Sequence, residues 1–264
     1  GVELLVNSPT FGKAFADRFE ILTGREKGKE LKNLTELALS GILYYVSQVI
    51  NHLIEEKQFK KGLSKSLRIC LGGKASTLYK IVFEDSGEQD RLAEMIEKVT
   101  NGAFESVAVE FTNTPKHEVS YGLLVDKFGA TDLSVEERSH ETVLGEEILS
   151  GKNKAWIISE LDPNKPWRIK DISQLKNFLK YLQAFSKIPV KLTKKFEGDL
   201  EGRVNAELKN GQAKALDAQR NQQSVEGDDS MEELQRTTSI LEPVFIQELK
   251  QVIKEITSGK LKLK

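Results

Sequence analysis

The sequence predicts an α/β fold over residues 1–130 followed by a mainly helical region over 131–264. Three observations carry this reading. Leu34, Ala38, Ile42, Tyr45, Val49 and Leu53 recur at steps of three and four, and Leu37, Val46 and Ile50 widen the stripe. That spacing predicts one long core-facing helix over 33–57. Next comes a strand-like run, "LRICL", then an amphipathic segment, "QDRLAEMIEKVTNG", then an alternating run, "ESVAVEF"; this is the order strand, helix, strand. Beyond residue 130 the strongest patterns, "DISQLKNFLKYLQAF" and "PVFIQELKQVIKEI", are helical.

In chain order, Phe11, Phe15, Phe19 and Leu22 fit one face of a short helix, and "TGREKGKE" reads as a charged loop. A basic connector, "KQFKKGLSKS", joins the long helix to the first strand. Ser76 or Thr77 is placed to cap a helix through "TLYKIVF", and "EDSGEQ" is a turn. In the next helix Leu92, Met95, Ile96 and Val99 share a face, and Gly102 sits where a C-terminal cap belongs. "TNTPKHE" is a loop, and "VSYGLLV" fits a strand or the start of a buried helix. Ser134 three before Glu137 has capping-box spacing and predicts a helix through "SVEERSHETVLGEEIL". "NKAWIISEL" reads as a strand and "PNKPWRIKD" as a Pro-punctuated loop. Asp171 and Gln174 share the capping spacing ahead of Leu175, Phe178, Leu179 and Leu182. Residues 198–235 hold no aromatic and fit a solvated helix or a long loop. The last helix starts at Pro243 and stops at Gly259.

The 264 residues are 39% apolar and 30% charged, with a net charge of -1. No global field favours nucleic acid or an anionic membrane, so neither is expected as a partner. The single cysteine, Cys70, forbids an internal disulfide and fits a reducing, cytoplasmic setting. The opening "GVELLVNSPTFGK" lacks the features of a signal peptide and reads as entered in mid-fold, as in a fragment of a longer protein. "LALSGILYYVSQVI" is too short to cross a bilayer and reads as a buried helix.

The first strand ends in "LGGKAS". A glycine pair at a strand end leaves backbone N–H groups open to a phosphate, a ribose or the face of a base, or simply makes a tight turn. The spacing is neither a P-loop, since Ala75 follows Gly73-Lys74, nor a G-x-G-x-x-G fingerprint. "ICLGGKAST", preceded by the long helix and followed by "EVSYGLLV" (Glu118 to Val125), resembles the last subdomain of the actin/Hsp70/sugar-kinase ATPase superfamily over residues 31–127. There a strand ends in an adenosine motif of glycines, and a later small-residue helix start closes the subdomain. The resemblance implies that Gly72 and Gly73 lie against adenine and ribose, with Lys74 and Ser76 beside them. The cofactor it implies is ATP or ADP with Mg. Lys74 departs from the family, which often has Ser or Gly directly after the glycine pair. The superfamily's phosphate hairpins, of the D-x-G-T and D-x-G type, precede this region, whereas the D-x-G of this chain, Asp85-Ser86-Gly87, comes after it. No catalytic residue is therefore assigned, and ATP hydrolysis by this chain alone is not expected. The expected function is the nucleotide-binding part of a conformational switch, with another protein or an upstream domain as partner. The alternative is a non-enzymatic protein–protein interaction module in which the glycines only turn the chain.

Other candidates read as structural. His52, His117 and His140 have no metal-ligand spacing, and no metal site is predicted. Cys70 fits a buried small hydrophobe. The adjacent pairs Glu136-Glu137 and Glu146-Glu147, placed on helices, read as solvated faces. The Lys-rich stretches have acids nearby, and Trp156 and Trp167 read as packing residues on either side of a Pro-containing loop, with Pro166-Trp167 as a partner surface the other reading.

Overall fold

A computed structural model describes residues 26–55, 66–71, 79, 82–83, 89–111, 142–158, 165–186, 188–222 and 242–261. The described residues fall into two compact units, one within Gly1–Ser134 and Tyr181–Ile188, the other within Val135–Lys180 and Pro189–Lys262.

In the first unit, helix α1 spans Glu26–Glu55. It starts earlier than the periodicity predicts and takes in Glu26–Glu30, the larger part of the expected charged loop. Glu and Lys are good helix formers, and extending an existing helix adds a hydrogen bond per residue without a new nucleus. Leu37, Leu39, Leu43 and Tyr44 are buried, with Glu36, Ser40, Ser47 and Gln48 buried among them. The Ser47 hydroxyl donates to the Leu43 carbonyl at 2.7 Å. By length and composition alone the stretch Lys29–Glu55 suits a membrane span, with a mean hydropathy of 1.3; burial of Leu37, Leu39, Leu43 and Tyr44 in the core accounts for part of the same apolarity.

Strand β1 (Ser66–Leu71), helix α2 (Gln89–Val99) and strand β2 (Ser106–Phe111) come next. β1 and β2 pair in parallel, with Ser66 opposite Ser106 and Leu71 opposite Phe111, a geometry that requires a crossover such as α2. Helix α2 packs against both β2 and α1 through Leu92, Met95 and Ile96, all fully buried or nearly so. It ends where the sequence places its cap. Gly102 has φ +67°, Asn101 joins it at +54°, and the Gly102 N–H returns to the Glu97 carbonyl at 2.9 Å. A left-handed residue at this point satisfies carbonyls that the helix leaves open.

The second unit is built on strands β3 (Thr142–Ser150), β4 (Asn153–Ile158) and β5 (Trp167–Ile169), with helix α3 (Ser173–Ser186) as far as Lys180, and with helices α4 (Lys194–Gln222) and α5 (Val244–Thr257). The sheet order is β4-β3-β5, and both pairings are antiparallel. Two expectations are corrected here. Residues 142–150, read as the end of a helix, form the central strand. The adjacent acids Glu146-Glu147 mask its alternation because the register against β4 shifts between Val143 and Ile148, where Gly145 takes φ +73°. The Pro-punctuated loop contains β5, too short to show a period of its own.

Helix α4 passes through the polar, aromatic-free stretch. Leu200, Val204, Leu208 and Gln212 are buried at steps of four, one ridge of the helix. Its opposite face is exposed and includes Gly202, where an added Cβ would meet nothing within 4 Å. Gly202→Ala is therefore expected to raise stability by roughly 0.5–1 kcal/mol, because alanine loses less backbone freedom on entering a helix. Denaturant unfolding with an unchanged slope checks this.

Candidate functional site

The carboxyl end of the parallel pair is the first candidate. Leu71 closes β1 beside Phe111 of β2, so the chain leaves both strands at the same end. Gly72, Gly73, Lys74 and Ser76 come directly after β1 and lie outside the described residues, as do Asp85–Gly87 and "EVSYGLLV". Past the glycines, the chain is anchored on α1 by Tyr79. This side chain, 5% exposed, donates its hydroxyl proton to the Leu39 carbonyl at 3.0 Å and stacks on Phe83 at 5.9 Å. Burial pushes the Tyr79 phenol up to about 12, so it remains a donor. The Tyr79 side chain thus fixes this point of the chain to the long helix. Its sequence signal was the aromatic pair Tyr79/Phe83 at helical spacing.

Cys70 is exposed, against expectation. Burial along β1 alternates, and the exposed positions are Ser66, Arg68 and Cys70, the face on which Arg68 pairs with Glu110 at 3.2 Å. Side chains of a strand alternate between faces, so an apolar neighbourhood in sequence does not bury this thiol.

The second candidate is in the other unit, and sequence reasoning missed it. Leu144, Glu146 and Ile148 share the inward face of β3, each 0% exposed. The Glu146 Oε1 accepts the Leu175 N–H at 2.9 Å and its Oε2 accepts the Ser173 hydroxyl at 3.5 Å. The carboxylate thus sits at the N-terminal end of α3, where open N–H groups and the helix dipole favour a negative charge. Asp171 caps the same end through the Ser173 N–H at 2.9 Å, as its spacing predicts, and that contact with Ser173 holds its carboxyl below the ordinary range.

Glu248 arrives from α5. It is 0% exposed and occupies a position in the apolar stripe formed by Val244, Phe245, Leu249 and Val252. Burial raises the Glu248 carboxyl well above its ordinary value, and the negative charges of Glu146, Asp171 and Glu201 add to this. Burial also raises Glu146, to about 8, with the Leu175 and Gln174 amides opposing. Glu147, the next residue on β3, points the other way and pairs with Lys170 at 2.6 Å and Lys154 at 3.6 Å; the bond from Lys170 holds it below the ordinary carboxyl value. The adjacent acids read as one solvated face are therefore divided, one buried and one paired at the surface. A glutamate inside the stripe of α5 was the available signal for the buried partner.

Trp167 is 6% exposed and Trp156 37%, so the first is core and the second lies on the outer strand. Among the described residues no group of three or more His, Cys, Asp or Glu is placed to hold a metal ion. No protein-family model, no curated protein and no solved structure matches this chain.

Proposed function

We propose that residues 1–130 are the nucleotide-binding part of an actin/Hsp70-like conformational switch, with Gly72, Gly73, Lys74 and Ser76 against the adenosine of ATP or ADP. The observation that supports this reading is the parallel β1-α2-β2 unit with the glycine pair directly after β1. In open α/β sheets, ligands bind beyond the carboxyl ends of parallel strands. Glycines there let the backbone approach a ribose or a flat base without a Cβ between them. Mg would enter only with the nucleotide phosphates. Hydrolysis is not assigned to this chain, because no D-x-G-T hairpin precedes the glycines.

The test is thermal unfolding with ADP, ATP and GTP, each with and without Mg. A ligand held by the folded form alone stabilises by about 2.7 kcal/mol at a hundred times its Kd. The expected result is a higher Tm with the adenine nucleotides and no rise with Gly73→Val at an unchanged ligand-free Tm. An unmoved Tm at millimolar ADP and ATP overturns the reading. The alternative of an interaction module has one observation in its favour: Leu31 and Ile42, both 47% exposed, lie three turns apart on one side of α1.

A further inference from the structure

We propose that Glu146 and Glu248 form a proton-held latch, in which one shared proton fastens α5 to the inward face of β3 and its departure loosens α5. Both side chains are fully buried. Two carboxylates can only accept hydrogen bonds, whereas one protonated carboxyl becomes a donor to the other. Glu146 already receives the Leu175 N–H and the Ser173 hydroxyl, which marks it as the acceptor. Neither Glu248 oxygen meets a donor, so an ionised Glu248 would be a buried charge without compensation. The proton belongs on Glu248, directed at Glu146.

The surroundings reinforce this. Facing Glu248 are Glu146 from β3, Asp171 from the loop before α3, and Glu201 from α4, all acidic. Cations on the same elements pair with other acids: Lys170 and Lys154 with Glu147, Arg203 and Lys260 with Glu255, Lys176 with Glu197, and Lys250 with Glu242. The direction of the effect comes from the proton count. In the unfolded chain both carboxyls ionise near 4.5, whereas burial in the folded one raises both, so the pair as a unit keeps one proton to higher pH. Above 4.5 the folded form holds more protons, so the latch's stability is complete below about 4.5 and is lost as pH rises through the raised range of the pair.

Amide hydrogen exchange of the whole chain from pH 6 to 9, corrected for intrinsic rates, tests the latch. In the natural sequence, protection of residues 244–257 is expected to fall about tenfold per pH unit while one proton separates the closed and open forms. Glu248→Gln keeps a donor in place without a titrating group, and its protection should be flat over the same range. Glu146→Gln, whose amide can donate to Glu248, should flatten it as well and serves if the first variant fails to fold. A protonated-carboxyl infrared band at pH 7, lost in Glu248→Gln, is the matching spectroscopic result. Protection of 244–257 that ignores pH in the natural sequence, or a slope that persists in a folded Gln variant, overturns the proposal.

Discussion

Phe245→Ala is expected to remove about 3–5 kcal/mol from the second unit. Phe245 is fully buried on α5, and its ring meets Phe178 of α3 edge to face, with centroids 5.7 Å apart and planes at 84°. Truncation loses the transfer energy of the ring and leaves a void beside the Phe178 ring. Helix side chains cannot collapse into such a space without moving the backbone, so the cavity cost stays. Total stabilities of natural domains are about 5–15 kcal/mol, so this one change takes a large share. Denaturant unfolding of the variant measures it, and a loss below about 1 kcal/mol would show that the ring does not fill a packed core. Phe178→Ala should cost a similar amount. The double variant should lose less than the sum, by roughly 0.5–1.5 kcal/mol for the edge-to-face contact.

That core was largely legible in the sequence, and the reasons are local. Phe178 and Phe245 stand in helices whose apolar spacing, capping residues and stop signals agree: Asp171 before α3, Pro243 before α5, Gly259 after it. The same holds for α2, which Gly102 ends by the hydrogen bonds that its position predicts. The failures fall where tertiary context outweighs local pattern. The capping-box spacing at Ser134 is a strong local helix signal, yet 142–150 form a strand that buries Leu144 and Ile148 and packs against α5. The buried carboxyl pair was hidden for a different reason. Glu146 and Glu248 are far apart in the chain, and each looks like an ordinary surface acid until the fold brings them together. Only the position of Glu248 in an apolar stripe hinted at it. For the nucleotide reading, the order of elements and the glycine pair were visible, while the parallel pairing of β1 with β2 needed the structure.

Removing Asn205 and Gln212 together should cost the second unit about 2–6 kcal/mol, although both read from sequence as part of a solvated helix or a long loop. β5 is an outer strand of its sheet, and outer strands carry backbone groups with no strand to pair with. The next residue, Lys170, turns its N–H to the Glu147 carbonyl of β3 at 2.9 Å. The alternate N–H groups point the other way, toward α4. There the Ile169 N–H donates to the Asn205 Oδ1 at 2.8 Å, and the Trp167 N–H to the Gln212 Oε1 at 3.3 Å. The Gln212 Nε2 in turn donates to the Lys165 carbonyl at 3.1 Å. Two amides, two turns apart on one helix, thus supply what a fourth strand would. Trp167 and Ile169 are buried, so water cannot replace the lost partners, and each orphaned N–H costs about 1–3 kcal/mol. The two acidic variants separate this account from simple packing. Asn205→Asp keeps the oxygen that Ile169 needs and should retain most of the stability. Gln212→Glu keeps the acceptor for Trp167 but sets a carboxylate against the Lys165 carbonyl, and should lose nearly as much as Gln212→Ala. Equal losses for the two acidic variants in denaturant unfolding would sink the idea that α4 completes the sheet through its amides.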